Sequence, residues 1–241
     1  MTLSPIGPAF RNQILRVLPF EEVRRLLPAL TRVRLVNGDL LYQAGARIGY
    51  VYFVEQGFIS MMAMVDDADG RVEVGLIGRE SVLGSSVLLS PEAASYPQAM
   101  VRMPGAAYRI PTAALHASLE HAPELRRLML QALQASMAQL VQTAACNSRH
   151  TLAERLARWL LMAHDRVDGD ELPLTQEFLA IMLAVRRPGV TIAAGALQAA
   201  GLIRQSRGRI VICDRPGLET TACVCYARVR TFVTTLAVRN L

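Results

Sequence analysis

Hydrophobic and polar residues alternate in short runs over the first half of the chain, and turn residues separate the runs. A turn is predicted at Gln56–Gly57 and a polar loop at 66–70. The runs themselves span residues 32–36, 40–42, 50–54, 58–64 and 71–77. Strands of this length between glycine turns are typical of a small antiparallel barrel or sandwich. After a helical opening over 13–30, residues 11–117 therefore predict one domain built as a small antiparallel barrel or sandwich.

The pattern changes to a helical period after Pro123, and neither Gly nor Pro interrupts it before Cys146. One helix of roughly 36 Å is expected, at about 1.5 Å per residue. Such a helix must bury its apolar stripe, either on the barrel or against the same helix of a second subunit. Small residues along it favour the second copy, so 118–147 is interpreted as a dimerisation helix. Its stripe consists of Leu125, Met129, Leu133, Met137, Leu140 and Ala144.

A third pattern, two short helices joined by a three-residue turn, follows an expected helix over 151–163. Thr175 is a good N-cap for a helix over 176–183, since its hydroxyl can accept from N–H groups of the first turn. After Ala184–Arg186, a second helix is predicted over 187–199. A turn of this kind indicates a helix-turn-helix, whose second helix enters the major groove of DNA.

A β-hairpin with basic residues at its tip comes directly afterwards, over 201–213. A helix-turn-helix followed by such a hairpin predicts a winged helix, assigned here to 148–218. Residues 219–241 are left as a helical extension. The predicted fold class is α+β, with an N-terminal antiparallel barrel or sandwich, a long helix and a winged helix-turn-helix.

Charge is distributed unevenly between the two halves. Through Cys146 there are 13 Arg and 12 acidic residues, a net charge of +1, whereas from Asn147 onward there are 13 Arg and 8 acidic residues, a net charge of +5. Positive charge gathered in one domain is typical of a phosphate-binding surface. Double-stranded DNA is the predicted partner.

The chemistry of the side chains suggests a role for each candidate DNA contact. Arg187 can make a bidentate contact to a guanine edge, and Arg186 can share that role or hold a phosphate. Thr191 can touch a thymine methyl or a phosphate. Phosphate is the expected partner of the remaining candidates, which are Thr175 and Gln176 at the first helix and Arg207 at the wing tip.

Other chemistry is not indicated. Cys223 and Cys225 lack a second cysteine pair at the spacing of a structural zinc site, and the histidines show no ligand spacing, so no metal, cofactor or catalytic residue is predicted. No membrane-length apolar run and no secretory pattern is visible, so a cytoplasmic protein without a membrane partner is expected. An enzyme is disfavoured.

The order of parts resembles the Crp-Fnr family of bacterial transcriptional regulators. The most specific stretches are 174–180, 185–187 and 200–204, which read LTQEFLA, VRR and AGLIR. The resemblance implies a cyclic-nucleotide-binding-like β-roll that takes an effector, and a homodimer on a palindromic operator. RNA polymerase is a further partner that it allows.

Departures from the family pattern fall in two places. Ser85 stands where cyclic-AMP-responsive members carry a carboxylate for the ribose, and the stretch 96–101, around Gln98, contains no Arg to meet the phosphate. Cyclic AMP gating is therefore not expected. Pro188 and Ile192 replace a Glu and an Arg of the recognition helix, which predicts a different operator. The candidate effector-pocket residues are Gly84, Ser85, Ser86 and Gln98.

Three hypotheses stay open. One is an effector-gated regulator whose winged helices rotate about a hinge near Asn147–Ser148. Another is a DNA-binding dimer whose β-roll is only a scaffold. The third is a thiol or metal sensor acting through Cys146, Cys223 or Cys225. The effector, the operator, the regulated genes and the direction of regulation are not predicted.

Overall fold

The structure is a computed structural model that describes residues 9–65, 70–90 and 92–238. Two compact units are present. One combines the described residues up to Ile59 with Ile77–Gln134, and the other combines Ser60–Leu76 with the described part of Ala135–Leu241. The loop predicted at 66–70 lies, except for Gly70, outside the described residues.

The first unit is built around an antiparallel sheet with strand order β1-β6-β3-β4, in which β2 also pairs with β6 and β5 with β3. Helices precede and follow the sheet. The elements are α1 (Gln13–Val17), α2 (Phe20–Leu26), β1 (Thr31–Leu35), β2 (Leu40–Tyr42), β3 (Tyr50–Met64), β4 (Arg71–Ile77), β5 (Val82–Leu83), β6 (Gln98–Pro111), α3 (Thr112–Leu119) and α4 (Pro123–Arg149). Residues 60–64 of β3, 71–76 of β4 and 135–149 of α4 belong to the second unit.

Gly57 lies inside a continuous strand, so the predicted turn at Gln56–Gly57 is wrong. The strand continues because Gly57 adopts a left-handed φ of +81° and lies against the backbone of β6, where a Cβ would stand 2.3 Å from the carbonyl oxygen of Met103. Gly105 meets the carbonyl of Gln56 in the same way. Two glycines thus let two long strands touch closely where the sequence suggested a turn.

The helical opening is divided, because Pro19 and Pro28 interrupt it: α2 begins after Pro19 and ends at Leu26. Glu22 on α2 is buried, and its carboxylate accepts hydrogen bonds from the backbone N–H groups of Glu124 (3.1 Å) and Leu125 (2.8 Å). These are orphan donors of the first turn of α4. A negative charge there also suits the helix dipole, so Glu22 stabilises the start of the long helix.

The second unit holds the winged helix and the end of α4, which runs without a break through Asn147–Ser148 to Arg149. A three-stranded antiparallel sheet of order β7-β9-β8 follows. The further elements are α5 (Leu152–His164), β7 (Glu171–Leu172), α6 (Gln176–Met182), α7 (Arg187–Ala199), β8 (Ile203–Ser206), β9 (Arg209–Ile212), α8 (Arg215–Thr221) and α9 (Cys225–Val238).

Helix α5 is the centre of this unit. It begins with a capping box in which Thr151 and Glu154 bond each other's backbone N–H groups. Trp159 on its buried face donates through Nε1 to the carboxylate of Glu73 on β4, at 2.5 Å, and Ser60 on β3 donates to the other carboxylate oxygen at 2.5 Å. The buried Glu73 is thereby hydrogen-bonded from two sides, as a buried charge requires.

The predicted α+β class, with an antiparallel N-terminal sheet, a long helix and a C-terminal winged helix, is confirmed by these elements. Among the described residues, no single helix is long and apolar enough to cross a membrane. The pair α6 and α7 passes that test of length and composition together, but the two helices are bent by 106°.

Candidate nucleic-acid interface

Helices α6 and α7 meet at 106°, within the range expected of a helix-turn-helix. The Thr175 hydroxyl caps α6 by accepting from the N–H of Phe178 at 3.1 Å, as the sequence predicts. In the turn, Ala184 adopts a left-handed φ of +52°, and it is the one described non-glycine residue with a positive φ. The turn therefore places some strain on an alanine where glycine would relax it.

Helix α7 buries one face and presents the other. Val190, Ala194 and Leu197 are buried, whereas Ile192 is 75% exposed and Thr191 is exposed. Because exposed and buried positions follow the 3.6-residue period, the first two turns of α7 present a solvent-facing surface. This is the surface that a major groove would meet.

Arginines surround this surface. Arg187 at the start of α7 forms an ion pair with Glu177 on α6, with 2.9 Å between Nη1 and Oε1, and both side chains are more than half exposed. Arg186 and Arg207 are exposed, and no ion pair to either is found in the part of the chain that the structure describes. The Arg187 guanidinium is thus paired within the protein, whereas the charges of Arg186 and Arg207 face solvent.

A chain of polar side chains links the two helices to the wing. The Thr191 hydroxyl donates to Gln176 Oε1 (2.7 Å), and Gln176 Nε2 donates to Gln205 Oε1 on β8 (3.1 Å). The backbone N–H of Gln205 in turn donates to Gln198 Oε1 at 2.7 Å. Gln176 and Thr191 therefore position the helices as well as lining the surface. Gln198 and Gln205 were missed in the sequence because amides on separate elements carry no local signal.

The wing is the hairpin of β8 and β9, with Ile203 paired to Ile212 and Ser206 to Arg209. Strand β7 adds a third strand, through Glu171 opposite Val211. Arg209 forms an ion pair with Glu171, with 3.0 Å between Nη1 and Oε1. The wing is thus held by its sheet, and Arg207 lies at its exposed tip.

The candidate effector-pocket residues lie in the first unit. Gly84 has a φ of +96°, and a Cβ there would stand 2.3 Å from the hydroxyl of Tyr42, which donates to the carbonyl of Tyr50 at 2.6 Å. Ser85 is buried and Ser86 is half-buried. The side-chain carbonyl oxygen of Gln98 is buried and has no hydrogen-bond partner among the residues that the structure describes. Neither Ser85 nor Gln98 carries a charge that could compensate a cyclic phosphate.

The residues predicted for the dimer helix do not share one exposed face. Leu125 and Met129 are fully buried by the chain itself, so they cannot also contact a second subunit. Leu133 and Leu140 are half-buried, and Met137 is exposed. The large apolar side chains that α4 exposes are those of Leu130, Met137 and Val141. The periodicity identified the helix but not which of its sides the rest of the chain covers.

Three of the four cysteines come together. Cys146, Cys223 and Cys225 are buried and lie beside His150, whereas Cys213 is exposed on the wing side. The sequence offers Cys223 and Cys225 no second cysteine pair at zinc-site spacing, and the structure instead brings Cys146 and His150 beside them. Burial raises the pKa of the Cys146 thiol and raises the pKa of Cys223 to about 12.

Comparisons with known proteins agree with this geometry. Residues 154–221 match the family model of the Crp-like helix-turn-helix domain. No curated protein matches the chain.

Several solved structures share the fold. FixK2 from Bradyrhizobium japonicum has a TM-score of 0.68 at 17% identity, over 80% of this chain and 98% of its own. A CRP/FNR family transcriptional regulator from Thermus thermophilus has a TM-score of 0.64 at 20% identity, over 80% and 98%. The c-di-GMP responsive global regulator CLP from Xanthomonas campestris has a TM-score of 0.64 at 19% identity, over 80% and 99%.

Proposed function

We propose that this chain, whose residues 154–221 match a Crp-like helix-turn-helix domain, is a homodimeric, sequence-specific DNA-binding regulator of transcription of the Crp-Fnr type. Its recognition helix is α7, and its wing is the β8–β9 hairpin. The supporting observation is the exposed start of α7, where Arg186 and Arg187 flank an uncharged strip formed by Thr191 and Ile192.

Base reading is assigned to Arg187. Its guanidinium is at the first position of α7, and a bidentate contact to the O6 and N7 atoms of guanine is the commonest specific contact in protein–DNA complexes. Binding exchanges the ion pair with Glu177 for the base. Arg186 and Arg207 then contact phosphates, which fix position without reading sequence.

The operator differs from that of the cyclic-AMP regulators. Pro188 and Ile192 take positions that carry a Glu and an Arg in the family pattern, and Ile192 is 75% exposed. An exposed isoleucine on a reading surface can pack on a thymine methyl but cannot hydrogen-bond a base. The half-site therefore holds one guanine contact and an apolar contact beside it.

Dimerisation uses the exposed side of α4. Leu130, Met137 and Val141 recur there at steps of seven and four, and Gln134 between them is also exposed. This is the spacing of a coiled-coil seam, and its occupant is the same face of a second copy. Two winged helices related by a two-fold axis read a palindrome.

Cyclic AMP is not the effector. Ser85 offers no carboxylate to hold the ribose, and Gln98 offers no positive charge to hold the phosphate. The Tyr42 hydroxyl also fills the space beside Gly84. Another ligand of the β-roll, or none, is consistent with this pocket. A contact with RNA polymerase stays a prediction.

Selection of bound sequences from random DNA tests the proposal. The wild-type chain should enrich a palindrome whose half-sites share one invariant guanine, and the Arg187→Ala variant should lose the preference at that guanine alone. Enrichment of no sequence by the wild-type chain would contradict sequence-specific binding.

The dimer is tested separately by sedimentation. Val141→Arg places a charge on a side chain that is 70% exposed and should convert dimers to monomers. Leu89→Arg, at a residue that is 73% exposed and not part of α4, is the matched control and should remain dimeric. A Val141→Arg protein that sediments as the wild type would rule out this face.

A further inference from the structure

Four side chains with metal-ligand chemistry converge in the second unit, apart from the DNA-facing surface. They are Cys146, His150, Cys223 and Cys225, and one ligand atom from each lies within 4.8 Å of all the others. The three cysteines are 0%, 6% and 1% exposed, in that order, and His150 is half-buried. Free thiols are weak hydrogen-bonding groups, so nothing in ordinary packing requires three of them around one imidazole.

Two segments of the chain each supply two of these four residues. Cys146 and His150 are four residues apart at the end of α4, and the N–H of His150 still donates to the carbonyl of Cys146 at 3.1 Å, so the helical spacing continues through both. Side chains at i and i+4 lie on one helix face. Cys223 lies between α8 and α9, and Cys225 is the first residue of α9.

The distances fit a single tetrahedral ion. Zinc bonded to sulfur at about 2.3 Å sets neighbouring ligand atoms about 3.8 Å apart. Here Cys146 Sγ and Cys223 Sγ are separated by 3.4 Å, and Cys225 Sγ and His150 Nδ1 by 3.5 Å. A two-iron cluster would spread its four ligands more widely. A disulfide would need two sulfurs at about 2.05 Å and would leave the third thiol and the imidazole unexplained.

An outer contact supports the same interpretation. Gln142 lies one helical turn before Cys146, so Gln142, Cys146 and His150 follow one another at steps of four on α4. Its side-chain N–H donates to Cys225 Sγ at 2.9 Å. Donors to a ligand atom from a neighbouring side chain are the usual second layer of metal sites, where they orient the ligand and stabilise its negative charge.

We propose that Cys146, His150, Cys223 and Cys225 bind one Zn²⁺ ion in a closed, structural site. Three thiolates and one imidazole are an established structural zinc set, and four protein ligands leave no position for water or substrate. The ion joins the end of α4 to the start of α9, and so holds the segment after the wing against the helix that precedes the winged helix. The site goes beyond the proposed DNA-binding function and does not depend on it.

Metal analysis of the full-length protein, purified without chelator or affinity metal, tests the site. One zinc per chain is expected. After removal of the ion under reducing conditions, titration with Co²⁺ should produce the intense visible bands of tetrahedral thiolate coordination, which saturate at one equivalent.

Variants assign the ligands. Cys225→Ser and His150→Ala should lower zinc content at least fivefold, whereas Cys213→Ser, which removes the one cysteine outside the cluster, should keep one zinc per chain. His150→Cys should also keep it, because four thiolates form an equivalent site. That variant separates loss of a ligand from loss of fold.

Three results would overturn the proposal. One is a wild-type chain without stoichiometric zinc whose Co²⁺ spectrum remains that of the hydrated ion. The second is bound iron with equivalent sulfide. The third is equal zinc loading in wild type and a Cys223→Ser/Cys225→Ser double variant. DNA binding is measured in parallel, so that loss of zinc with an intact operator preference leaves the regulator proposal standing.

Discussion

The DNA-facing surface and the cysteine–histidine cluster belong to the same unit of the molecule, yet they are assembled in opposite ways. The surface uses neighbours in sequence, from Thr175 to Arg209, on two helices and a hairpin that follow one another directly. The cluster joins two pairs of residues, Cys146 with His150 and Cys223 with Cys225, that are more than seventy residues apart. A function built from neighbours can be predicted from a pattern, whereas one built from distant pairs needs the fold.

Energetically, the two regions also differ. Contacts of the surface are exposed, and an exposed ion pair such as Arg187–Glu177 contributes little to stability. The cluster is buried, and a bound ion there adds its binding free energy to that of folding. The surface is therefore expected to govern affinity for DNA, and the cluster the stability of the unit.

Metal removal should give the largest effect. If free Zn²⁺ stands at about a thousandfold excess over its Kd, binding stabilises the folded chain by about 4 kcal/mol. For a chain of this size that corresponds to roughly 8–16 °C in the unfolding midpoint. Calorimetry with and without chelator measures it. The Cys223→Ser/Cys225→Ser protein serves as control, and a chelator effect of the same size there would show that the ion acts elsewhere.

Arg187→Ala should come next, with a loss of about 1–3 kcal/mol in affinity for the selected operator and much less on random DNA. Fluorescence anisotropy at fixed salt concentration measures both. Arg24→Ala is the matched control, because Arg24 is equally exposed and paired with Glu21 at 2.8 Å in the first unit. An equal loss on both DNAs would make Arg187 a phosphate contact.

Thr175→Val tests whether the N-cap of α6 stabilises the protein. Removing the cap on the N–H of Phe178 should cost about 1 kcal/mol in the free energy of unfolding. Thr220→Val on α8 removes a hydroxyl that only donates within its own helix, and should cost much less. Urea denaturation compares the two, and equal midpoints would argue against capping at Thr175.

The smallest effect is expected at the turn of the helix-turn-helix. Ala184→Gly removes the strain of a left-handed alanine, which stabilises the folded protein by about 1–2 kcal/mol. The glycine also makes the unfolded chain more flexible, which costs about 0.5–1 kcal/mol. A net gain of about 0.5–1 kcal/mol should follow, again by urea denaturation. Ala200→Gly, at an exposed residue with a φ of −78°, should instead destabilise the protein. A loss of stability in Ala184→Gly would mean that contacts of the Ala184 Cβ stabilise the protein by more than the backbone strain costs.

The parts that could be predicted from sequence are those set by neighbours. The N-cap at Thr175, the span of α7 and the paired strands of the wing follow from capping, helical period and turn residues. The strand that continues through Gly57 was missed, since a left-handed glycine inside β3 is explained only by the opposite backbone of β6.

Long-range packing accounts for the other differences. Leu125 and Leu130 both fit an amphipathic helix, and only the first unit decides that Leu125 is buried while Leu130 is 44% exposed. The ligand set could have been suspected earlier. A Cys and a His at i and i+4 on a predicted helix already form half of a metal site, and such a half-site should be sought beside any lone Cys-x-Cys.

Trp159 has a practical consequence. It is the one tryptophan in the chain, it is 5% exposed, and its indole N–H donates to Glu73 on the hairpin of β3 and β4. The protein therefore contains a single intrinsic fluorophore whose emission wavelength reports whether that hairpin is seated on α5. Opening of this contact would admit water to the indole and shift the emission to the red. Ligand screens and stopped-flow experiments can follow that signal in unlabelled protein.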